Sequence, residues 1–258
     1  MVEESATNNF KKGDRVIVMG FDLGMNTWGG FGEYIRVPKD WVLKMPQGLT
    51  SKEVAIYGTA GFTAGQCVEK LVASLKPKDG DIVVSGATGG VGTMSVGILS
   101  KIGYKVVAIT GKSENDFLVG IGASEILERK TFSGVDKTPM HKGVYAGAID
   151  TVGGNILENI IKSVKMYGVI ACCGNVAGGN LNTTVYPFIL RGISLVGLTS
   201  QSCPMDNRKI IWEKLSSVWK PKKIMELYEE VSLEKLPEKI DLILRGIVKG
   251  RVIVKIGG

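Results

Sequence analysis

The stretch Gly86-Ala87-Thr88-Gly89-Gly90-Val91-Gly92 is the strongest chemical signal in the chain. The residues before it, Asp81 to Ser85, read as a strand, and apolar residues recur at helical spacing from Val91 to Ile102. The turn fits G-x-G-x-x-G with Ala87 at the first position and Gly89 and Gly92 at the others. Glycine there lets the backbone turn sharply and approach a pyrophosphate, and the helix N-terminus supplies amide donors and partial positive charge. Gly89 and Gly90 give the close approach. The amides of Val91, Gly92, Thr93 and Met94 are the expected donors, with the Thr93 hydroxyl in reach. The competing reading is a sterically tight turn that holds nothing. A strand before, a helix after and a second strand at the right distance favour a dinucleotide.

The tip of that second strand, Lys105 to Ile109, chooses which dinucleotide. An NAD site wants an acid there for the ribose hydroxyls. This chain has Thr110-Gly111-Lys112-Ser113, one positive charge and two hydroxyls that suit a 2′-phosphate. NADP is therefore expected over NAD, against the bland reading of a solvated lysine in an exposed turn. Gly-Lys-Ser also hints at a Walker A loop, but Val106 stands where its first glycine would be. Asp150-Thr151-Val152-Gly153 and Cys173-Gly174 end two later strands with small residues, as cofactor crevices do.

Other chemistries find little support. With one histidine, His141, and no CxxC, a protein-built zinc site or a Ser-His-Asp triad is not expected. The formal charge of +7 comes from lysines scattered among acids, clustered only at Lys220-Pro221-Lys222-Lys223, which argues against nucleic-acid binding. No apolar stretch is long enough to span a bilayer and no signal-peptide core opens the chain, so a cytoplasmic protein off the membrane is expected. Cys67, Cys172, Cys173 and Cys203 lack framework spacing and read as reduced thiols; adjacent Cys172 and Cys173 would face opposite sides of a strand.

The elements that must position these residues alternate strand and helix. Further strands are read at 124–127, 147–150, 168–171 and 193–198, with helices at 115–121 and 155–164. Repeated βα units make an α/β fold with a doubly wound parallel sheet, since parallel neighbours need helical crossovers. Residues 14–45 are short strands and turns, 206–248 are mostly helical and charged, and Arg251 to Ile256 is a last strand.

Together the pieces resemble the zinc-free, quinone oxidoreductase-like branch of the medium-chain dehydrogenase/reductase superfamily, in its acryloyl-CoA reductase (NADPH) group. The resemblance rests on Phe10 to Val16, Asn26 to Tyr34, Met45 to Leu49, Gly58-Thr59-Ala60-Gly61-Phe62-Thr63-Ala64, the glycine-rich turn, Ala146 to Gly153, Thr183 to Arg191 with its Pro-Phe-Ile-Leu-Arg run, and Gly250-Arg251. It implies a remnant of a GroES-like catalytic domain at 1–57, an NADP-binding Rossmann domain at 58–198, and C-terminal helices and a strand returning to the catalytic domain at 199–258. It implies hydride transfer to the β-carbon of a short α,β-unsaturated acyl-CoA thioester. The alternatives are an NADPH:quinone oxidoreductase or an NADPH-binding remnant without turnover. It implies a homodimer formed through the strand Ile193 to Leu198. Carried over, Gly111, Lys112 and Ser113 hold phosphate and Val152 lies beside the cofactor. Ile193 offers backbone to the nicotinamide, and Asn207 and Arg251 add polar contacts. Arg251 could equally be an exposed edge charge.

In the family a segment precedes the Phe-Lys-x-Gly-Asp-Arg-Val stretch and supplies barrel strands and an Asn-Tyr pair at the active-site lip. The resemblance therefore implies a partial, N-terminally truncated GroES-like β-barrel beside the Rossmann sheet. It assigns no catalytic residue. Trp28, Tyr34, Tyr57, Thr59 and Thr63 are left to line the substrate face.

Overall fold

The computed structural model of the protein describes residues 1–257. Its N-terminal part is a short antiparallel pair, β1 (Val16–Val18) with β2 (Val42–Lys44), joined by a long turn-rich segment. Helix α1 (Ser51–Val72) follows. Its start is a reciprocal cap: Thr50 Oγ1 accepts from the Glu53 amide at 3.1 Å, and Glu53 Oε2 accepts from the Thr50 amide at 2.8 Å. At Gly58 the helix breaks, with φ of 48° and ψ of −153°, a conformation that glycine alone adopts without strain.

The body then alternates as expected: β3 (Ile82–Ser85), α2 (Gly90–Lys101), β4 (Val106–Thr110), α3 (Asn115–Gly120), β5 (Glu125–Glu128), α4 (Lys130–Ser133), β6 (Tyr145–Asp150), α5 (Gly154–Ser163), β7 (Val164–Cys172), α6 (Tyr186–Arg191) and β8 (Ser194–Gly197). Helix α7 (Met205–Ser216), β9 (Tyr228–Ser232), α8 (Leu236–Leu244) and β10 (Arg251–Lys255) complete it, with β9 and β10 a parallel pair.

The six central strands form one parallel sheet ordered β5-β4-β3-β6-β7-β8. Side chains alternate across a strand, so neighbours in sequence enter different cores. Ile82, Val84 and Ala108 pack on one face with α1, α2 and α7, while Val83, Val107 and Ile170 pack on the other with α5. Cys173 packs against the first core and Cys172 against the second, as their adjacency predicts. The chain winds outward through β3, β4 and β5, then jumps back to β6 beside β3. That reversal opens a crevice at the strand C-termini, where ligands bind in such sheets.

Candidate functional site: a cationic crevice at the sheet's switch point

Two turns meet at the reversal, one after β3 and one after β6. Thr151 Oγ1 donates to Ser85 O at 3.0 Å, and its amide donates to Ser85 Oγ at 3.0 Å. Ser85 Oγ in turn donates to Asp150 Oδ1 at 2.6 Å, and the Gly153 amide donates to Asp150 Oδ2 at 2.8 Å. Burial raises the Asp150 carboxyl above its ordinary value, and these donors oppose the rise. The join is too close for side chains. A Cβ on Gly86 would lie 2.3 Å from Thr151 Oγ1, and one on Gly92 would lie 2.2 Å from Gly86 O. Val152 is buried against Gly86 at this join.

The open amides are those of Gly90, Val91 and Gly92, in the first turn of α2, which has no side-chain cap. This corrects the donor set expected from sequence. The Thr93 amide donates to Gly89 O at 2.8 Å, its hydroxyl donates to Ala87 O at 3.1 Å, and Met94 is fully buried in the helix. Helix register decides which amides are left over: Val91 and Gly92 stay in the set, Gly90 joins it, and Thr93 and Met94 leave it.

Arg251 faces this turn rather than an exposed edge. Its Nε donates to Ile56 O at 3.1 Å. Its Nη2 lies 2.8 Å from where a Gly58 Cβ would stand, and its Nη1 lies 3.0 Å from the corresponding point on Gly90. The kink at Gly58 thus makes room for a guanidinium beside the α2 amides. Burial depresses its pKa, yet a guanidinium stays charged. Among the described residues it has no carboxylate partner.

The tip of β4 is a second cationic corner. Thr110 is buried, and its hydroxyl pairs with the Thr88 hydroxyl and accepts from the Lys112 amide, both at 3.1 Å, so it shapes the turn. Lys112 Nζ donates to Val248 O, and partial burial lowers its pKa. Ser113 is exposed. Gly111 lies beneath Arg129, whose Nε and Cζ sit 2.9 Å from the Gly111 Cβ position. Sequence reasoning missed Arg129: it follows β5, and only the pairing of β5 on β4 brings it here. Glu114, just beyond the tip, is held by Lys249 at 2.8 Å.

Other expected residues lie elsewhere. Ile193 does not reach the strand mouths; it is buried before β8, whose mouth end is Gly197 opposite Cys172. Asn207, in the first turn of α7, is exposed, and no hydrogen bond of its side chain is found among the described residues. Tyr57 is fully buried and donates to Leu215 O at 2.9 Å, and Thr63 donates back to Thr59 O within the helix, so both are packing residues. Thr59 is exposed, as are Trp28 (92%) and Tyr34 (76%).

His141 joins Asp136 at 2.7 Å and Ser163 at 3.2 Å, on residues that belong to the α4–α5 side of the sheet. Among the described residues no group of three or more His, Cys, Asp or Glu side chains could hold a metal ion. The donors here therefore do not fit a protein-built zinc site. A dinucleotide fits better: a cradle closed to any Cβ, open helix amides, and cations at both the pyrophosphate and the ribose positions.

Known proteins share this fold. The family model described as a zinc-binding dehydrogenase matches residues 90–217. YhfP of Bacillus subtilis, which carries a quinone oxidoreductase name, is 43% identical over 99% of this chain and 78% of its own. Its crystal structure with NAD bound superposes with a TM-score of 0.96. The acrylyl-CoA reductase AcuI of Ruegeria pomeroyi is 36% identical over 99% of this chain and 78% of its own. The crystal structure of E. coli K-12 YhdH with bound NADPH is 40% identical, covers 98% of this chain and 78% of that one, and gives a TM-score of 0.95. The chain therefore belongs to the medium-chain dehydrogenase/reductase superfamily, in the quinone oxidoreductase-like group that includes the acrylyl-CoA reductases.

Proposed function

We propose that this protein is an NADPH-dependent reductase of short α,β-unsaturated acyl-CoA thioesters. The observation that carries the reading is the cationic corner at the β4 tip, where Lys112 and Arg129 flank Gly111, Glu114 is tied to Lys249 and Glu128 to Lys130. A 2′-phosphate fits that corner; a bare ribose wants an acid. Gly90, Val91 and Gly92 donate to the pyrophosphate through their amides, and Arg251 neutralises it. Gly89 lets the nucleotide approach, Ser113 adds a hydroxyl, and Val152 packs beside the nucleotide. On this reading 58–198 holds the cofactor, while 1–57 and 199–258 form the substrate side. Bound NADPH supplies the hydride that the β-carbon receives.

The names of the relatives divide between acrylyl-CoA reductase and quinone oxidoreductase, so quinone reduction is the second reading. Steady-state oxidation of NADPH with acryloyl-CoA and with a soluble quinone separates them. Faster turnover of acryloyl-CoA is expected. Brisk quinone reduction beside a negligible acryloyl-CoA rate overturns the first reading, and tight NADPH binding with no turnover of either leaves a binding protein. Fluorescence titration with NADPH and NADH tests the cofactor independently, and clearly tighter NADH overturns the 2′-phosphate reading.

A homodimer is part of the proposal. Strand β8 ends the sheet, and Tyr167, Ile189 and Leu190 are exposed on β7 and α6, the elements flanking it in space and in sequence.

A further inference from the structure

Arg208 is 2% exposed, and none of the described carboxylates pairs with it. A buried charge without an acid is costly unless other groups solvate it. Here backbone carbonyls do. Its Nε donates to Cys203 O at 2.9 Å, Nη1 to Met19 O at 2.9 Å, and Nη2 to both Ser200 O and Gln201 O at 2.8 Å. The Phe21 and Phe62 rings lie 4.3 and 5.4 Å from its Cζ. One side chain thus gathers the β1-side turn, the loop after β8 and helix α1.

Two further bonds join the same pieces. The Phe21 amide donates to Gln201 O at 2.8 Å, and Gln201 Nε2 donates to Phe21 O at 3.0 Å. Carbonyl and amide of a trans peptide point in opposite directions. With the Ser200 and Gln201 carbonyls drawn onto Arg208, the Gln201 and Ser202 amides point away from it. Among the described residues neither amide has an acceptor, and both residues are exposed.

The position of this loop gives the clamp a role. A dinucleotide anchored by adenosine at β4 and by pyrophosphate at the β3–β6 reversal extends its reacting end toward β7 and β8. The loop continues from β8, with the Leu198 amide donating to Cys172 O at 3.0 Å. We propose that Arg208 is a positioning residue that holds the Thr199–Cys203 loop and the Met19–Phe21 turn as one wall at the reacting end of the crevice. This rests on the reductase reading for its kinetic consequence and on the clamp alone for its structural one.

Two variants test it from opposite sides. Arg208→Lys keeps the charge and loses the fork. Gly20→Ala leaves Arg208 in place, but its Cβ would stand 2.8 Å from Arg208 Nη2 and 2.9 Å from Gln201 O. Amide hydrogen exchange is expected to rise about tenfold in peptides covering both Met19–Phe21 and Thr199–Cys203, with β3 and β4 peptides unchanged. NADPH affinity should stay within about threefold while kcat/KM for acryloyl-CoA falls about tenfold or more. The exposed Lys209→Ala is the control and should change neither. Faster exchange throughout the protein, or in only one segment, overturns the clamp. Unchanged kcat/KM in folded variants that do show the exchange pattern overturns its catalytic role. If the wild type fails to turn over acryloyl-CoA, the substrate reading fails by itself, and the exchange pattern still decides the clamp.

Discussion

At the scale of single residues, the crevice depends on charges and gaps that different elements bring together. Arg129→Ser removes a guanidinium from beside Gly111 and leaves the sheet intact. It should weaken NADPH about tenfold, the cost of about one charge-assisted hydrogen bond, and leave NADH almost unchanged. Parallel fluorescence titrations measure both. Gly58→Ala places a Cβ 2.8 Å from Arg251 Nη2 at a positive φ. It should weaken NADPH and NADH alike, because the pyrophosphate is common to both. Asp150 gives a pH prediction. Its folded pKa is raised by burial, so above the unfolded value of about 3.8 the unfolded chain loses the proton first. Stability therefore falls as pH rises through the folded pKa, and the contribution is fully present only below the unfolded pKa. Urea midpoints against pH should show this fall in the wild type relative to Asp150→Asn, and parallel profiles would contradict it. Lys112 was legible from sequence because the strand-tip position is local. Arg129 was not, because its place beside Gly111 is a property of strand order.

At the scale of elements, α1 does more than its sequence announced. It is capped at Thr50, broken at Gly58 and packed by Tyr57 and Phe62 against Trp212 of α7, with ring centroids 5.9 and 6.2 Å apart. Thr50→Ala removes one half of the cap, and Lys220 then holds Glu53 from the other side at 2.6 Å. The expected loss is about 1 kcal/mol, read as a lower urea midpoint with unchanged slope. The alternation of strands and helices was readable because apolar periodicity is a local signal. Thr93 and Met94 drop out of the α2 donors because a helix consumes its amides from the fourth residue onward, and the starting residue is fixed by the cap at Gly89 rather than by composition. Ile193 was misplaced for a related reason: the direction and register of β8 put it at the closed end of the sheet.

At the scale of the whole molecule, β8 leaves an open edge beside exposed apolar side chains. A free edge invites pairing with another strand. Light scattering after size exclusion should give a dimer, and Ile189→Glu, at a residue 67% exposed, should shift it toward monomer without loss of helix signal. A monomeric wild type would contradict the pairing. Among the described residues no helix is long and apolar enough to cross a membrane.

By itself, the sequence determined the doubly wound sheet, the glycine-rich turn between β3 and α2 and the cationic character of the β4 tip. Each follows from residues within one βα unit, where periodicity, glycine and helix-terminal amides act over a few positions. Only the tertiary structure decided what converges on them. Arg251 arrives from the last strand, Arg129 from a neighbouring strand, and Arg208 joins carbonyls about 180 positions apart in the chain. Such approaches depend on strand order, on a helix break and on where buried charge finds carbonyl acceptors, and none of these is encoded in local spacing.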